Sequence, residues 1–387
     1  MSKTLNEKTI ILSVTNDLVS DRRVDKVIKS LQTLGFQIIL IGRKLKNSKT
    51  INRRMYKTIR IRLLFNKGAL FYGEYNIRLF FLLIFKRVNI LLANDLDTLL
   101  ANYLAYIFKK YIFRQKVFLI YDSHEYFTEV PELNGRTFAK NAWLFIEKII
   151  LPKIKYAYTV CQSIADEYQN KYGIEMQVIR NFPLCIDKNF ENIARQKARA
   201  LKQRFNSRKI ILYQGALNIG RGLEEAILAM QYINNSILLI IGEGDIENRL
   251  KNMVNENKLN NKVYFTGKIP IEELNAFTKI GDIGLVLQKD LSLSYRYVLP
   301  NRLFDFMQAE IPVLASRLPE IEHVVNKAKS GILIEQLSPL SIAEKINYLL
   351  DKPHILNDFK ENIRKVKNKY CWEKEEIKLK NILISLE

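Results

Sequence analysis

The most constraining feature of this chain is a long alternation of short apolar runs with helical patterns, in two successive series. In the first, Thr9–Val14, Phe36–Ile41, Ile59–Leu64, Asn89–Ala93, Lys116–Tyr121 and Ala157–Val160 read as strands. Most are apolar along their whole length, as strands buried on both faces must be. Helix patterns separate them. Asp21–Leu34 carries Val24, Val27, Ile28, Leu31 and Leu34 at three-to-four spacing, with Gly35 as the stop. Ile77–Lys86, Asp97–Phe108 and Ala142–Ile150 follow. Strands separated by helices imply a parallel sheet covered on both faces. In the second series, strands at Ile210–Tyr213, Ile237–Ile241, Val263–Phe265, Ile283–Leu287, Val313–Ala315 and Ile332–Ile334 alternate with further helices. The expected fold class is α/β, with two doubly wound Rossmann-like domains facing across a cleft. Ligands then belong in the crevice at the carboxyl ends of the strands. We expect a first domain over 1–190, a second over 191–365 and a last helix, 366–387, crossing back to the first. Ile186–Ser207 is polar and helical, and reads as the connection.

Charge is distributed unevenly. Residues 1–190 hold 31 Lys/Arg against 16 Asp/Glu, or +15; the remainder holds 30 against 24, or +6. The excess is densest over Lys26–Gly73, which has 12 basic residues and no acidic one. Such a surface attracts polyanions, anionic membranes or phosphorylated substrates, unless it is only the general basicity of the chain. With the aromatics Phe65, Phe71 and Tyr72 and the apolar run Leu79–Phe85, it is a candidate docking face for an anionic membrane. Leu79–Phe85 also suits a core helix. Three scattered cysteines, Cys161, Cys185 and Cys371, give no disulfide framework and no metal pair, which fits a reducing cytoplasm. Met1–Lys8 is polar, with no signal-peptide core, and no apolar run is long enough to span a bilayer. The expected location is cytoplasmic, at the inner face of the plasma membrane if the docking face is real.

Candidate chemistry sits where strands end. Gln214–Gly222 (QGALNIGRG) follows a strand and opens a helix. Gly215 and its neighbours permit tight turns, and Arg221 stands at the helix start, where charge and dipole both favour a phosphate. Gly242–Glu243–Gly244 ends the adjacent strand, and Gly267–Lys268–Ile269–Pro270 the next; free backbone groups at Lys268 and Ile269 suit a nucleobase edge, or the segment is a plain loop into a helix. Pro300–Asn301–Arg302–Leu303–Phe304–Asp305 starts a helix, whose N-terminus favours an anion; the Asp305 carboxylate suits the paired hydroxyls of a ribose.

In the first half, His124 and Glu125 follow a strand. His124 is a candidate sugar ligand or proton shuttle, with Glu125 orienting it or holding an acceptor hydroxyl. His323 and His354 lie in helical patterns and read as structural. Asn16 and Asp17 occupy another strand end, on the acceptor side. Asp21 suits an N-cap, and Arg22 and Arg23 are either solvated or reach a phosphate. Asp95–Leu96–Asp97 has the Asp-x-Asp spacing some enzymes use for a divalent cation, but Asp97 better suits a helix N-cap.

The ordered set QGALNIGRGLEEAI, LLIIGEGD, VYFTGKIP, PNRLFDFMQAEIPVLAS and GILIE resembles the retaining GT-B glycosyltransferases of family four. SVTNDLVSDRRVDKV and YDSHEYFTEVPEL resemble bacterial members that build surface polysaccharide. The resemblance covers nearly the whole chain. It implies a nucleotide-diphosphate sugar in the second half, a glycan or lipid-linked acceptor in the first, and transfer with retention, with no metal and no other cofactor. Carried over by position, Arg221 binds the diphosphate, Asp305 the ribose, Gly242 and Gly244 admit the nucleotide, Lys268 and Ile269 flank the base, and His124 lies near the transferred sugar. Asn301 and Arg302 belong to the same donor site. Members commonly carry two glutamates eight positions apart; here Tyr297 and Asp305 occupy those places, which leaves the grip on the donor sugar to Asn301, Arg296 or backbone amides near Tyr297–Leu299. An epimerase of the same fold would need acids and bases crowded into one sugar pocket. A phosphorylase would need a cofactor-lysine signature, and a nucleic-acid binder a recognition module. None of these is found in the sequence, and nucleic acid is not an expected partner.

Overall fold

A computed structural model of the protein describes residues 8–19, 21–51, 54–205 and 208–386. The chain divides into two units: Met1–Asn181 with Glu375–Glu387, and Phe182–Lys374. The crossings thus fall at 181/182 and 374/375, earlier and later than the 190 and 366 suggested by the sequence.

Unit 1 holds a seven-stranded sheet of β1 (Thr9–Ser13), β2 (Gln37–Lys44), β3 (Lys57–Arg62), β4 (Ile90–Asn94), β5 (Phe118–Ser123), β6 (Tyr156–Thr159) and β7 (Gln177–Val178). The order is β3-β2-β1-β4-β5-β6-β7, all pairs parallel. Central β1 aligns Ile10 with Ile38 on one side and Ile90 on the other. Ile10, Ile11 and Leu12 are wholly buried, which is why the run is uninterrupted by polar residues. Unit 2 holds β8 (Lys209–Gln214), β9 (Ser236–Ile241), β10 (Val263–Gly267), β11 (Ile283–Val286), β12 (Val313–Ser316) and β13 (Gly331–Ile334). Their order is β10-β9-β8-β11-β12-β13, again parallel. Helices cover both faces of the second sheet, closing two separate apolar clusters. In each sheet the order reverses once, between β1 and β4 and between β8 and β11. Loops diverge there and leave a crevice.

Several expectations need correction. The helix expected at Ile77–Lys86 runs over Gly68–Ile84, because Phe71, Tyr75, Leu79 and Leu83 form one buried stripe at four-residue spacing. The stretch read as a connection is the helix Lys188–Gln203, packed on unit 2 through Ala194 and Ala198. Its Glu191 joins Lys279 and Lys367. Cys185 and Cys371 are bonded, although their 186-residue separation suggests no pairing. The two crossing segments bring them together, and Trp372 N–H donates to Pro183 O there (2.7 Å). Cys161 is buried and takes no part in a disulfide. The last helix, Trp372–Ile384, returns to unit 1, where Arg180 N–H donates to Glu375 Oε2 (2.9 Å) and Lys378 Nζ to Val178 O (3.1 Å). Among the described residues no helix is long and apolar enough to cross a membrane. Met1–Glu7 and Arg53 lie outside the described residues.

Candidate functional site

In unit 2, the crevice at the β8/β11 reversal is built by loops that could not be closer. Gly215 N–H donates to Ile241 O and Gly242 N–H to Gly267 O, each at 2.9 Å. Leu217 N–H donates to Glu243 O (3.1 Å). A Cβ on Gly242 would collide with Gly215 O, and one on Gly244 with the Leu217 backbone. These two glycines therefore serve loop-on-loop packing. On the far side, Lys289 N–H donates to Gly220 O (2.9 Å), and a Cβ on Gly220 would strike Leu291 and Tyr295.

Two arginines meet at this crevice. Arg302, in the first turn of the helix Asn301–Gln308, is only 7% exposed. Its guanidinium lies 5.0 Å from the Tyr213 ring centroid, and Nε and Nη2 are buried with no hydrogen-bond partner. Arg221 lies 5.2 Å from the Tyr295 ring and donates from Nη1 to Gln288 Oε1 (3.0 Å); its Nε is likewise buried and unpartnered. Among the described residues, no ion pair joins either arginine to a carboxylate. Every neighbour holding them is neutral: an aromatic face or an amide. Burial lowers the Arg302 pKa from its ordinary value; the ring of Tyr213 opposes that shift and the charge of Arg221 adds to it. A buried cation without a counter-charge, as Arg302 is, with a second half-buried one beside it, is costly for a folded protein unless an anion completes the pair.

The remaining expected donor residues are distributed around this pair. Asp305 Oδ2 accepts from Gln214 Nε2 (2.9 Å), whose Oε1 accepts from Thr278 Oγ1 (2.7 Å), so its carboxylate is oriented from the end of β8. Pro300 is buried ahead of the helix and Asn301 is exposed. Tyr297 closes the short helix Leu293–Arg296 through its N–H to Leu293 O (3.0 Å). Arg296 pairs with Asp290 (2.7 Å). The Lys268 amide, expected to be free, faces Glu243 Oε1 at 3.4 Å, and Ile269 packs against the core. Sequence reasoning missed Gln288, Tyr213 and Tyr295, which position the arginines. The only signal for Tyr213 and Gln288 was placement at or just beyond a strand; Tyr295, in the short helix Leu293–Arg296, had none.

In unit 1 the strand-end residues form a charged network of their own, in which His124 Nε2 is buried near Asp122 without a hydrogen bond. Asp122, fully buried on β5, accepts from Arg23 Nη2 (2.6 Å) and lies 3.1 Å from His124 Nε2. Arg23 is neither solvated nor open to a phosphate; it also donates to Ile179 O (3.0 Å). His124 Nδ1 lies 3.3 Å from Asp95 Oδ2, and its N–H donates to Asp95 Oδ1 (2.8 Å). Asp95 thus holds a positive φ of 60° ahead of the helix Leu96–Ile107. Burial opposes charge on His124, but Asp95 and Asp122 outweigh it and raise its pKa to about 9. Burial likewise opposes charge on Asp122, yet Arg23 and His124 bring it down to about 2. Burial pushes Asp95 and Asp97 up to about 7.

The Asp-x-Asp pair has protein partners. Asp97 is not an N-cap: it sits inside the helix and accepts from Thr15 Oγ1 (2.5 Å) across the β1/β4 reversal. His124 is oriented by Asp95 and Asp122, whereas Glu125 is exposed. Asn16 donates to Asp21 (2.8 Å), and Asp17 accepts from Val19 N–H (3.2 Å), so both shape the turn after β1. Asp21 caps its helix by accepting from Val24 N–H (3.1 Å).

Residues 194–366 match the family model described as Glycosyl transferases group 1. Those residues span the two-arginine crevice, and the chain around them has the matching fold. The fold of the whole chain is that of the GT-B glycosyltransferases, two parallel sheets each covered by helices. An uncharacterized glycosyltransferase of Methanocaldococcus jannaschii is 25% identical over 289 residues, 72% of this chain and 71% of that one. Among solved structures, this chain is similar to sucrose-phosphate synthase from Thermosynechococcus elongatus: TM-score 0.79 at 17% identity, covering 98% of this chain and 99% of that one. It is also similar to HepE of Anabaena in complex with UDP-glucose: TM-score 0.71 at 12% identity, covering 97% and 99%. At such identities the likeness is one of fold.

Proposed function

We propose that the protein transfers a sugar from a nucleotide-diphosphate sugar bound in unit 2 to a glycan or lipid-linked acceptor, with retention of configuration, in cell-surface polysaccharide synthesis. The observation that carries the donor assignment is the pair Arg221 and Arg302, a half-buried and a buried guanidinium, each with at least one buried unpartnered nitrogen and neither with a carboxylate partner. A diphosphate supplies the missing negative charge. Binding then converts a liability of the free protein into charge-assisted hydrogen bonds. As the glycosidic bond breaks, charge grows on the departing diphosphate, and groups held rigidly by Tyr213, Tyr295 and Gln288 stabilise it without reorganising. Asp305, oriented by Gln214, receives the ribose hydroxyls.

The resemblance in motif order supports retention by a front-face route, in which the leaving phosphate helps take the acceptor proton. His124, with its pKa raised to about 9, is an imidazolium near neutral pH. It therefore acts through charge and positioning, and is not a general base. The assigned donor site needs no metal, because its two cations are its own.

A thermal-shift panel of uridine, guanosine and adenosine diphosphate sugars tests the assignment. One sugar nucleotide should raise the midpoint of the native protein and fail to do so in Arg221→Ala. No response to any member would remove the donor reading. The anomeric configuration of the product, read by NMR, tests retention.

A further inference from the structure

Unit 1 carries a second cationic site at the opposite, amino-terminal edge of its sheet. The stretch Thr98–Tyr121 contains no acidic residue, nor does Lys148–Ala165. The fold brings these stretches together where β5 and β6 begin. There they line an open hollow of about 290 Å³ with Lys110, Lys116, Lys153 and Lys155. The lysines sit near aromatic rings. Lys110 Nζ is 5.3 Å from both Tyr106 and Tyr111, Lys116 Nζ 5.7 Å from Phe118, and Lys155 Nζ 5.2 Å from Tyr156. Among the described residues none of the four pairs with a carboxylate.

An apolar surface borders the hollow. Tyr111 and Ile112 are each 63% exposed, and Phe85 is 79% exposed. Phe81, Phe80, Phe108 and Phe113 join these by successive ring contacts of 5.4, 6.2 and 5.1 Å. Lys109 locks the two segments together from beneath, donating to Ile84 O (3.0 Å) and Lys86 O (2.8 Å). Of the face expected from the sequence, Phe85 at the end of Leu79–Phe85 is exposed and belongs to this edge, whereas Phe71 is buried under Arg43 and Tyr72 packs on Trp143.

We propose that the lysine hollow binds the phosphate headgroup of an anionic phospholipid while Tyr111, Ile112 and Phe85 enter the membrane interface beside it. Charge complementarity and an apolar border on the same edge favour a lipid. A nucleic acid or free phosphate would engage the lysines and leave Ile112 and Phe85 in water. This inference does not rest on the donor assignment, since lipid binding is read without sugar transfer.

The test is sedimentation of the full-length protein with vesicles of phosphatidylcholine alone, or of equal parts phosphatidylcholine and phosphatidylglycerol. Binding is expected only to the mixed vesicles. Replacing Lys110, Lys116, Lys153 and Lys155 together by alanine should weaken it about a hundredfold or more, since each basic group near such a surface counts for close to a factor of five. The four Lys→Arg replacements should retain it, which separates lost charge from lost fold. Ile112→Ser with Phe85→Ser should weaken it at unchanged charge. Equal loss on replacing the exposed Lys327, Lys345, Lys365 and Lys369 of unit 2 would reduce the effect to bulk charge and overturn the site. So would unchanged binding in the quadruple alanine variant, or binding of inorganic phosphate or duplex RNA without binding to mixed vesicles.

Discussion

The two units reverse their sheet order in the same way and treat charge at the strand ends in opposite ways. In unit 1, Arg23 and Asp122 pair, His124 lies between the carboxylates of Asp95 and Asp122, and Thr15 holds Asp97 across the reversal. In unit 2, Arg221 and Arg302 face only aromatic rings and amides. The first arrangement carries its own counter-charges, and among the described residues the second has none. The difference teaches that a strand-end position alone does not mark a binding group. What marks it is whether the protein has already supplied the counter-charge.

The sharpest way to break this contrast is Arg302→Ala, which should lower kcat/KM for transfer by about 10²–10³, the usual loss for one preorganised charge-stabilising donor. The companion variant Arg302→Met should unfold at equal or higher denaturant concentration than the native protein, because it removes an unpaired buried charge and keeps the volume. A large loss of stability there would mean that Arg302 already has its partner. In unit 1 the sign reverses. Arg23→Ala strands the buried Asp122 carboxylate and should cost about 3–5 kcal/mol in equilibrium unfolding.

A pH series sharpens the same point. His124 is raised in the fold to about 9. Its contribution is therefore fully present below its ordinary value near 6.5 and lost as pH rises through about 9. Asp122, lowered to about 2, contributes above the ordinary carboxylate value and loses that contribution as pH falls through about 2. Stability measured against pH should fall on the alkaline side in the native protein, with a flatter profile in His124→Gln. The smallest effect is expected from Asp290→Ala. It frees the exposed Arg296 and should leave both the unfolding midpoint and donor affinity unchanged, unless Arg296 grips the sugar.

The strands were legible because a doubly covered parallel sheet leaves an uninterrupted apolar run, as in Ile10–Leu12 and Ile237–Ile241. Arg221 was legible because a glycine-rich strand-to-helix turn is a local pattern. Arg302 joined it only through the resemblance in motif order. The rings that hold the two were not legible, because Tyr213 lies on β8 and Tyr295 in the short helix Leu293–Arg296, far apart in the chain. The network around His124 was hidden for the same reason: Arg23 and Asp122 are 99 residues apart in the chain. Asp95–Leu96–Asp97 offered only a metal spacing or a cap at Asp97, because the actual partners, His124 and Thr15, come from distant parts of the chain. The helix Lys188–Gln203 looked like a linker because its buried face is made of alanines.

The return of the last helix to unit 1 bears on the order of synthesis. Residues 375–386 leave the ribosome after every residue of unit 2. Arg180 N–H and Val178 O, beside the edge strand β7, therefore wait for Glu375 and Lys378 until then. Unit 2, being continuous from Phe182 to Lys374, can close first. Unit 1 is thus the later of the two to receive all its residues, and a chain stopped at residue 374 would carry every residue around Arg221 and Arg302 but lack the last segment of unit 1.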